Sequence, residues 1–293
     1  MQRAPALFVI GMGRSGTSAL ARVLSLCGAA LPLRMLPANQ ANPTGYWEPL
    51  DAVVLNDVFL RTCATSWFDA GLTLPTVPPD EIVRRELITP AADLLRDGFD
   101  HDGPIVVKDP RITILLPYWL EAAAQACRPV KLIHVYRHPS EVAASLTTRD
   151  GLAAAHAAAL WLKHNLLGER DGRPVTRTFA SYEQLMHGWE PVVERCLGEL
   201  GLELCIDDAA RDAVAEFLSS DLRHHHASAA DRSALEPPLS GWVDRVYSCV
   251  RAADAGALDP VELDAVFAEV ADSRFSEHHA WAAPAAYVEA PNQ

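Results

Sequence analysis

The residues best suited to do chemistry lie in one loop, Gly11-Met12-Gly13-Arg14-Ser15-Gly16-Thr17-Ser18. It sits between the apolar run 7–10 and a set of apolar residues at helical spacing: Ala19, Leu20, Val23, Leu24 and Cys27. Glycines let a ligand approach the backbone, successive N–H groups point into one concavity, and a helix N-terminus adds positive partial charge, so the arrangement suits an anion. Gly11 and Gly16 keep the spacing of a nucleotide phosphate loop, but Thr17-Ser18 stands where Lys-Ser/Thr belongs, and the cation is Arg14. The chemistry expected is therefore phosphate binding without a metal bridging two phosphates. A tight turn that needs glycine only for its backbone has the same spacing; the strand-loop-helix setting and the run Arg-Ser-Gly-Thr-Ser favour the cradle.

Two further blocks leave apolar runs in the same way. Lys108-Asp109-Pro110 follows 105–107, and Arg137-His138-Pro139 follows 130–135 and enters a helical pattern carrying Ser145 and Arg149. Arg137 and Ser145 are eight residues apart and converge on one anion only if the helix runs back past the strand end. Arg149 lies on the Ser145 face at i+4, where a solvated helix charge is the alternative reading. A fourth strand is predicted over 175–179, and helices over 80–97, 192–200, 207–218 and 260–270. Pro49 is placed to open another helix, with Leu50, Val53, Val54 and Val58 as its apolar stripe, after a loop over 37–49. Strands separated by helices predict an α/β fold with a parallel sheet. The chain reads as a single domain over 1–293, an α/β core over 1–185 followed by a mainly helical extension and cap over 186–293.

Composition narrows the function. The 293 residues are 49% hydrophobic and 22% charged, enough to bury a sizeable core. With 25 basic and 38 acidic side chains the net charge is −13, which argues against nucleic acid or an anionic membrane as partner. Six scattered cysteines without a Cys-x-x-Cys pair suggest reduced thiols, and no stretch reaches membrane-spanning length without charge or proline, so a cytoplasmic protein is expected.

The blocks together resemble the sulfotransferases that use 3′-phosphoadenosine 5′-phosphosulfate as sulfuryl donor. Gly-x-x-Arg-Ser-Gly-Thr-Ser is similar to their 5′-phosphosulfate loop, and Arg137 with Ser145 to their pair at the 3′-phosphate. The Lys108-Asp109-Pro110 block is similar to one in tyrosylprotein and bacterial sulfotransferases, whose lysine contacts the reacting sulfate. Ser181-Tyr182-Glu183-Gln184-Leu185 is similar to a block whose tyrosine lies near the adenine. The resemblance implies a P-loop-type three-layer fold and a bacterial-type enzyme. Donor binding would fall to Gly13, Arg14, Ser15, Gly16, Thr17, Ser18, Arg137, Ser145, Arg149 and Tyr182. Arg14 and Lys108 would stabilise the oxygen of the departing phosphate. A sulfuryl group carries one formal charge less than a phosphoryl group, so protein cations suffice and no metal is required.

The base that takes the acceptor's proton is expected to be Glu48, in Gly45-Tyr46-Trp47-Glu48-Pro49, extended before proline and at a helix N-terminus. Asp51 and Asp57 are the fallback bases, both expected on the solvent face of the helix. Trp47, Trp67 and Trp161 could line an acceptor pocket, with core packing as the alternative. His224-His225-His226 lacks a partner carboxylate at ligand spacing and is expected to be solvated, and 223–233 could close over the donor. The acceptor would be a hydroxyl or amine of a small molecule or glycan. A kinase-like phosphotransferase and an inactive nucleotide-binding module are the competing readings.

Overall fold

A computed structural model describes residues 3–39, 45–218 and 235–273. The first strand, β1 (Ala6–Ile10), is wholly buried, and the loop after it feeds α1 (Thr17–Leu26). Helix α2 (Leu50–Thr62) follows, capped by Pro49. Next come α3 (Asp80–Val83), a π-helical turn over Arg84–Ile88, and α4 (Thr89–Asp97). The helix predicted over 80–97 is thus continuous in direction but widened in the middle, and Leu87 and Ile88 of the wide turn are buried. Strand β2 (Ile105–Val107) leads into α5 (Pro110–Ile114) and α6 (Leu116–Gln125). Strand β3 (Val130–Tyr136) leads into α7 (Pro139–Asp150) and α8 (Ala154–Gly172). Strand β4 (Arg177–Ser181) leads into α9 (Tyr182–His187), α10 (Trp189–Leu200) and α11 (Asp208–Phe217). Helices α12 (Leu239–Ala253) and α13 (Pro260–Asp272) complete the described chain.

The four strands form one parallel sheet in the order β2-β1-β3-β4, with Ala6 opposite both Ile105 and Val130, and Leu132 opposite Arg177. The last strand begins two residues later than predicted. Thr178 and Ala180 are buried as well as Phe179, so the strand is covered on both faces and the expected alternation does not mark its ends. On one face Phe8 packs edge-on against Trp119 of α6 at 6.2 Å, within a core shared with α2 and α4. On the other, Leu7 and Val9 pack with α1, α10 and Val214 of α11. This gives the three layers of an α/β sandwich. Helices α12 and α13 cover α8.

The apolar stripe expected on α2 is not its buried face. Val54 and Val58 are 54% and 37% exposed, whereas Ala52, Asn56, Phe59 and Leu60 face inward. The helix is turned so that Asn56, a polar residue, enters the core.

Candidate active site

Each strand delivers one block at its carboxyl end: Gly11 follows β1, Lys108 follows β2, Arg137 follows β3 and Tyr182 follows β4. The connection after β1 runs to β2 on one side and that after β3 to β4 on the other, and the crevice at that switch point between β1 and β3 is where open α/β sheets bind ligands.

The loop after β1 is shaped by two glycines. At Gly11, φ is +135° and a Cβ would meet the Val135 carbonyl oxygen at 2.3 Å; at Gly16, φ is +92° and a Cβ would meet the Tyr182 ring at 2.1 Å. Arg14 also has positive φ, 71°. The first intrahelical bond, Leu20 N–H to the Gly16 carbonyl at 3.1 Å, leaves the N–H groups of the opening turn without helical partners. No acidic residue occupies that turn. The Ser15 hydroxyl is buried with no hydrogen-bond partner, the kind of orphan that a bound anion satisfies.

Three guanidinium groups gather beside this loop. Arg14 Nε donates to Ser145 Oγ at 2.8 Å, and Arg137 donates to the Arg14 carbonyl at 3.3 Å while its guanidinium lies 4.6 Å above the Tyr182 ring. Burial, together with the nearby charges of Arg149 and Arg137, holds the Arg14 pKa below its ordinary value. An anion placed among them relieves that repulsion. Arg137 is also tied to Glu141 at 2.6 Å and Arg149 to Asp150 at 2.6 Å, so both side chains are oriented before anything binds. Trp161 Nε1 donates to the Arg137 carbonyl at 3.1 Å, fixing the residue from below.

A second group forms around Lys108, which is 2% exposed. Its ammonium donates to Glu48 Oε1 at 2.5 Å, Ser18 Oγ at 3.1 Å and the Tyr46 carbonyl at 3.2 Å. Glu48 is itself 4% exposed. It is held there by a hairpin-like closure: Leu36 N–H bonds the Glu48 carbonyl at 2.8 Å and Leu50 N–H the Arg34 carbonyl at 3.0 Å. The helix-terminus argument for an ionised Glu48 is only part of the balance. Burial pushes its pKa up, against the downward pull of Lys108 and Arg111, and Asp109 adds to the rise. Arg111 approaches Glu48 Oε2 at 3.5 Å. Asp57 meets Arg111 at 2.9 Å and Asp51 meets Arg34 at 2.8 Å, so both fallback bases are ion-paired.

Both groups face one cavity of about 400 Å³. Its lining includes Gly13, Arg14, Thr17, Ser18, Lys108 and Arg149 together with Leu36, Pro37, Tyr46, Val53 and Trp67, and Glu48 and Arg111 also line it. Arg137, Ser145 and Tyr182 back the Arg14 side without lining it. Arg14 is hydrogen-bonded to Ser145 and Lys108 to Glu48, and both cations line the same cavity. Of the three tryptophans only Trp67 reaches the cavity. Trp161 is fully buried, and Trp47 packs edge-on to Phe217 with Arg22 over its ring at 4.4 Å. His164 was not foreseen: it lines the cavity with Nδ1 on the Leu160 carbonyl at 2.8 Å, and burial drives its pKa down to about 3. Its signal was a polar run, Lys163-His164-Asn165, inside a buried helix. Residues 40–44, His224-His225-His226 and the 223–233 closing segment lie outside the described residues. Among the described residues no cluster of His, Cys, Asp and Glu is arranged to hold a metal, and no helix is long and apolar enough to cross a membrane.

No protein-family model matches the chain, and no curated protein is similar to it. Solved structures are. The sulfotransferase domain from the Synechococcus PCC 7002 olefin synthase superposes with a TM-score of 0.50 at 20% identity, covering 88% of this chain and 97% of that one. A sulfotransferase domain from the curacin biosynthetic pathway gives 0.47 at 18%, covering 85% and 98%. Mouse sulfotransferase SULT7A1 complexed with PAP gives 0.42 at 15%, covering 86% of each. The likeness to the olefin synthase domain establishes the fold: a four-stranded parallel α/β sandwich of the sulfotransferase type.

Proposed function

We propose that this chain transfers a sulfuryl group from 3′-phosphoadenosine 5′-phosphosulfate to a hydroxyl or amine of a small molecule or glycan. The observation that carries the reading is the convergence, on one cavity, of an arginine-rich anion site at the β1 loop and a buried Lys108–Glu48 pair. The residues fit the donor. The loop offers unpaired N–H groups and the orphan Ser15 hydroxyl to the 5′-phosphosulfate, while Arg137, Ser145 and Arg14 suit the 3′-phosphate, with Arg149 beside them. Tyr182, packed over Gly16 and under Arg137, offers a ring face beside the loop.

In the reaction the acceptor oxygen or nitrogen attacks sulfur as the bond from sulfur to the bridging oxygen breaks in line. Lys108 steadies the charge on the departing 5′-phosphate, and Arg14 adds positive field from the other side of the loop. The acceptor's proton passes to Glu48. Protein cations supply the charge stabilisation, so the reading requires no metal.

Calorimetry with 3′,5′-adenosine bisphosphate and with ATP, each with Mg²⁺ and with chelator, tests it. Metal-independent binding of the bisphosphate, weakened in Arg137→Ala, is expected. Binding of ATP alone, and only with Mg²⁺, overturns the donor assignment and favours phosphotransfer.

A further inference from the structure

The pairing of Glu48 raises a question of charge. With Lys108 engaged by Glu48 at 2.5 Å, a donor that draws the ammonium toward its leaving oxygen takes away the carboxylate's nearest counter-ion. A carboxylate this deeply buried does not stay ionised alone.

Arg111 is built to supply the second charge. Its Nε reaches both oxygens of Asp109, at 2.9 and 3.1 Å, its Nη1 reaches Asp57 at 2.9 Å, and Nη2 is left toward Glu48 Oε2 at 3.5 Å. Asp109 is fixed in turn: Asn56 Nδ2 donates to its Oδ2 at 3.0 Å, and Trp119 Nε1 donates to Asn56 Oδ1 at 2.9 Å. The chain of bonds from Trp119 through Asn56 and Asp109 to Arg111 leaves the guanidinium little freedom. Burial opposes its charge, but Asp109, Asp57 and Glu48 more than offset this and hold its pKa above the ordinary value.

We infer that Arg111 is a positioning residue for the base, holding Glu48 in place and ionised while Lys108 serves the leaving group. The inference rests on the proposal that Glu48 takes the acceptor's proton. Lys108, Asp109 and Arg111 are the charged groups that act directly on the Glu48 carboxyl; Asp57 acts through Arg111. Arg14, Arg149, Asp150 and neutral His164 face it across the cavity.

The test is a pH titration by difference infrared spectroscopy of the protonated-carboxyl band that disappears in Glu48→Gln, with 3′,5′-adenosine bisphosphate present. Loss of an opposite charge at this range raises a carboxyl pKa by about 1–3 units, so in Arg111→Gln the midpoint should rise by about one unit or more. Arg111→Lys should restore it to within a few tenths, and the affinity for the bisphosphate should change by less than about twofold in both. If Arg111→Gln is too unstable to purify, Asp109→Asn/Arg111→Gln is compared with Asp109→Asn, so that both lack the Asp109 charge that raises the Glu48 pKa, and the midpoint should again rise by about one unit or more. A midpoint unmoved by loss of Arg111, or no band dependent on Glu48, overturns the inference. Release of labelled sulfate from the donor, with water as acceptor, judges the base separately. Glu48→Gln turning over like the wild type overturns the base assignment and this inference with it; an inactive Glu48→Gln beside an unmoved midpoint overturns this inference alone.

Discussion

Replacing Lys108 by methionine isolates the cost of the buried carboxylate. The substitution preserves much of the side-chain volume but removes the cation 2.5 Å from Glu48, leaving Arg111 at 3.5 Å and shared with Asp57 and Asp109. Breaking a buried pair costs about 3–5 kcal/mol when the survivor stays charged. The survivor's alternative is to bind a proton. With an unfolded glutamate near pKa 4.3, staying neutral in the fold at pH 7 costs about 3.7 kcal/mol, so the two routes give a similar penalty. They are separated by pH. A carboxyl whose folded pKa lies above its unfolded value binds more protons folded than unfolded, so stability falls as pH rises above about 4.3, by up to about 1.4 kcal/mol per unit, and returns as pH falls. Urea unfolding of Lys108→Met and of Glu48→Gln/Lys108→Met between pH 5 and 8 should therefore give curves that diverge upward in pH, with the double variant about 3–4 kcal/mol more stable at pH 7. The wild type, whose Glu48 pKa is raised by burial but restrained by Lys108, should show the same sign with a smaller slope. Parallel curves for the two variants refute the proton-binding route, because they mean that Glu48 stays ionised in the fold once Lys108 is gone.

Three further outcomes follow from the geometry. Gly16→Ala places a Cβ 2.1 Å from a Tyr182 ring atom at φ +92°, so it should lose at least the ~1–2 kcal/mol of left-handed strain and weaken bisphosphate binding, both measurable by thermal melts and calorimetry. Arg137→Ala should weaken the bisphosphate by about 10- to 100-fold, as expected for a lost charge-assisted contact, while Lys108→Met should lower turnover by about 10²-fold or more with a smaller effect on that affinity; equal losses in both quantities contradict the separate roles. Asn56→Leu leaves Trp119 Nε1 without an acceptor in the core and takes one of two donors from Asp109 Oδ2, and should cost about 1–3 kcal/mol in urea unfolding; a loss under about 0.5 kcal/mol refutes the buried relay.

The part of the candidate site carried by the strand ends was legible because its residues are adjacent in sequence to those strands. Gly11, Lys108, Arg137 and Tyr182 each stand directly after an apolar run, and a parallel sheet brings such positions to one edge without any knowledge of distant contacts. Arg137 with Ser145 needed one further step, a helix running back past β3, and the bond that Arg14 makes to Ser145 across 131 positions is encoded by no local spacing. Glu48 was picked out from the sequence, but its surroundings were not legible. Pro49 marked the helix start beside Glu48, but the partners of Glu48 come from 60 and 63 positions away, and nothing local encodes that burial.

Helix α2 shows why periodicity misled. Turning Val54 and Val58 inward would bury two apolar side chains, each worth about 1.5–3 kcal/mol if fully buried. The same rotation would carry Asn56 away from Trp119 and Asp109, leaving an indole N–H unsatisfied in the core and Asp109 with Arg111 alone as its partner, at a comparable cost, and would release Asp57 from Arg111. An exposed valine loses only what it would have gained, whereas a buried indole N–H without an acceptor bears its full desolvation penalty. Hydrophobic spacing weighs only the first of these quantities. The helix therefore departs from its apolar stripe where Asn56 and Asp57 bind the residues that hold Glu48, and that departure is itself a marker of the site.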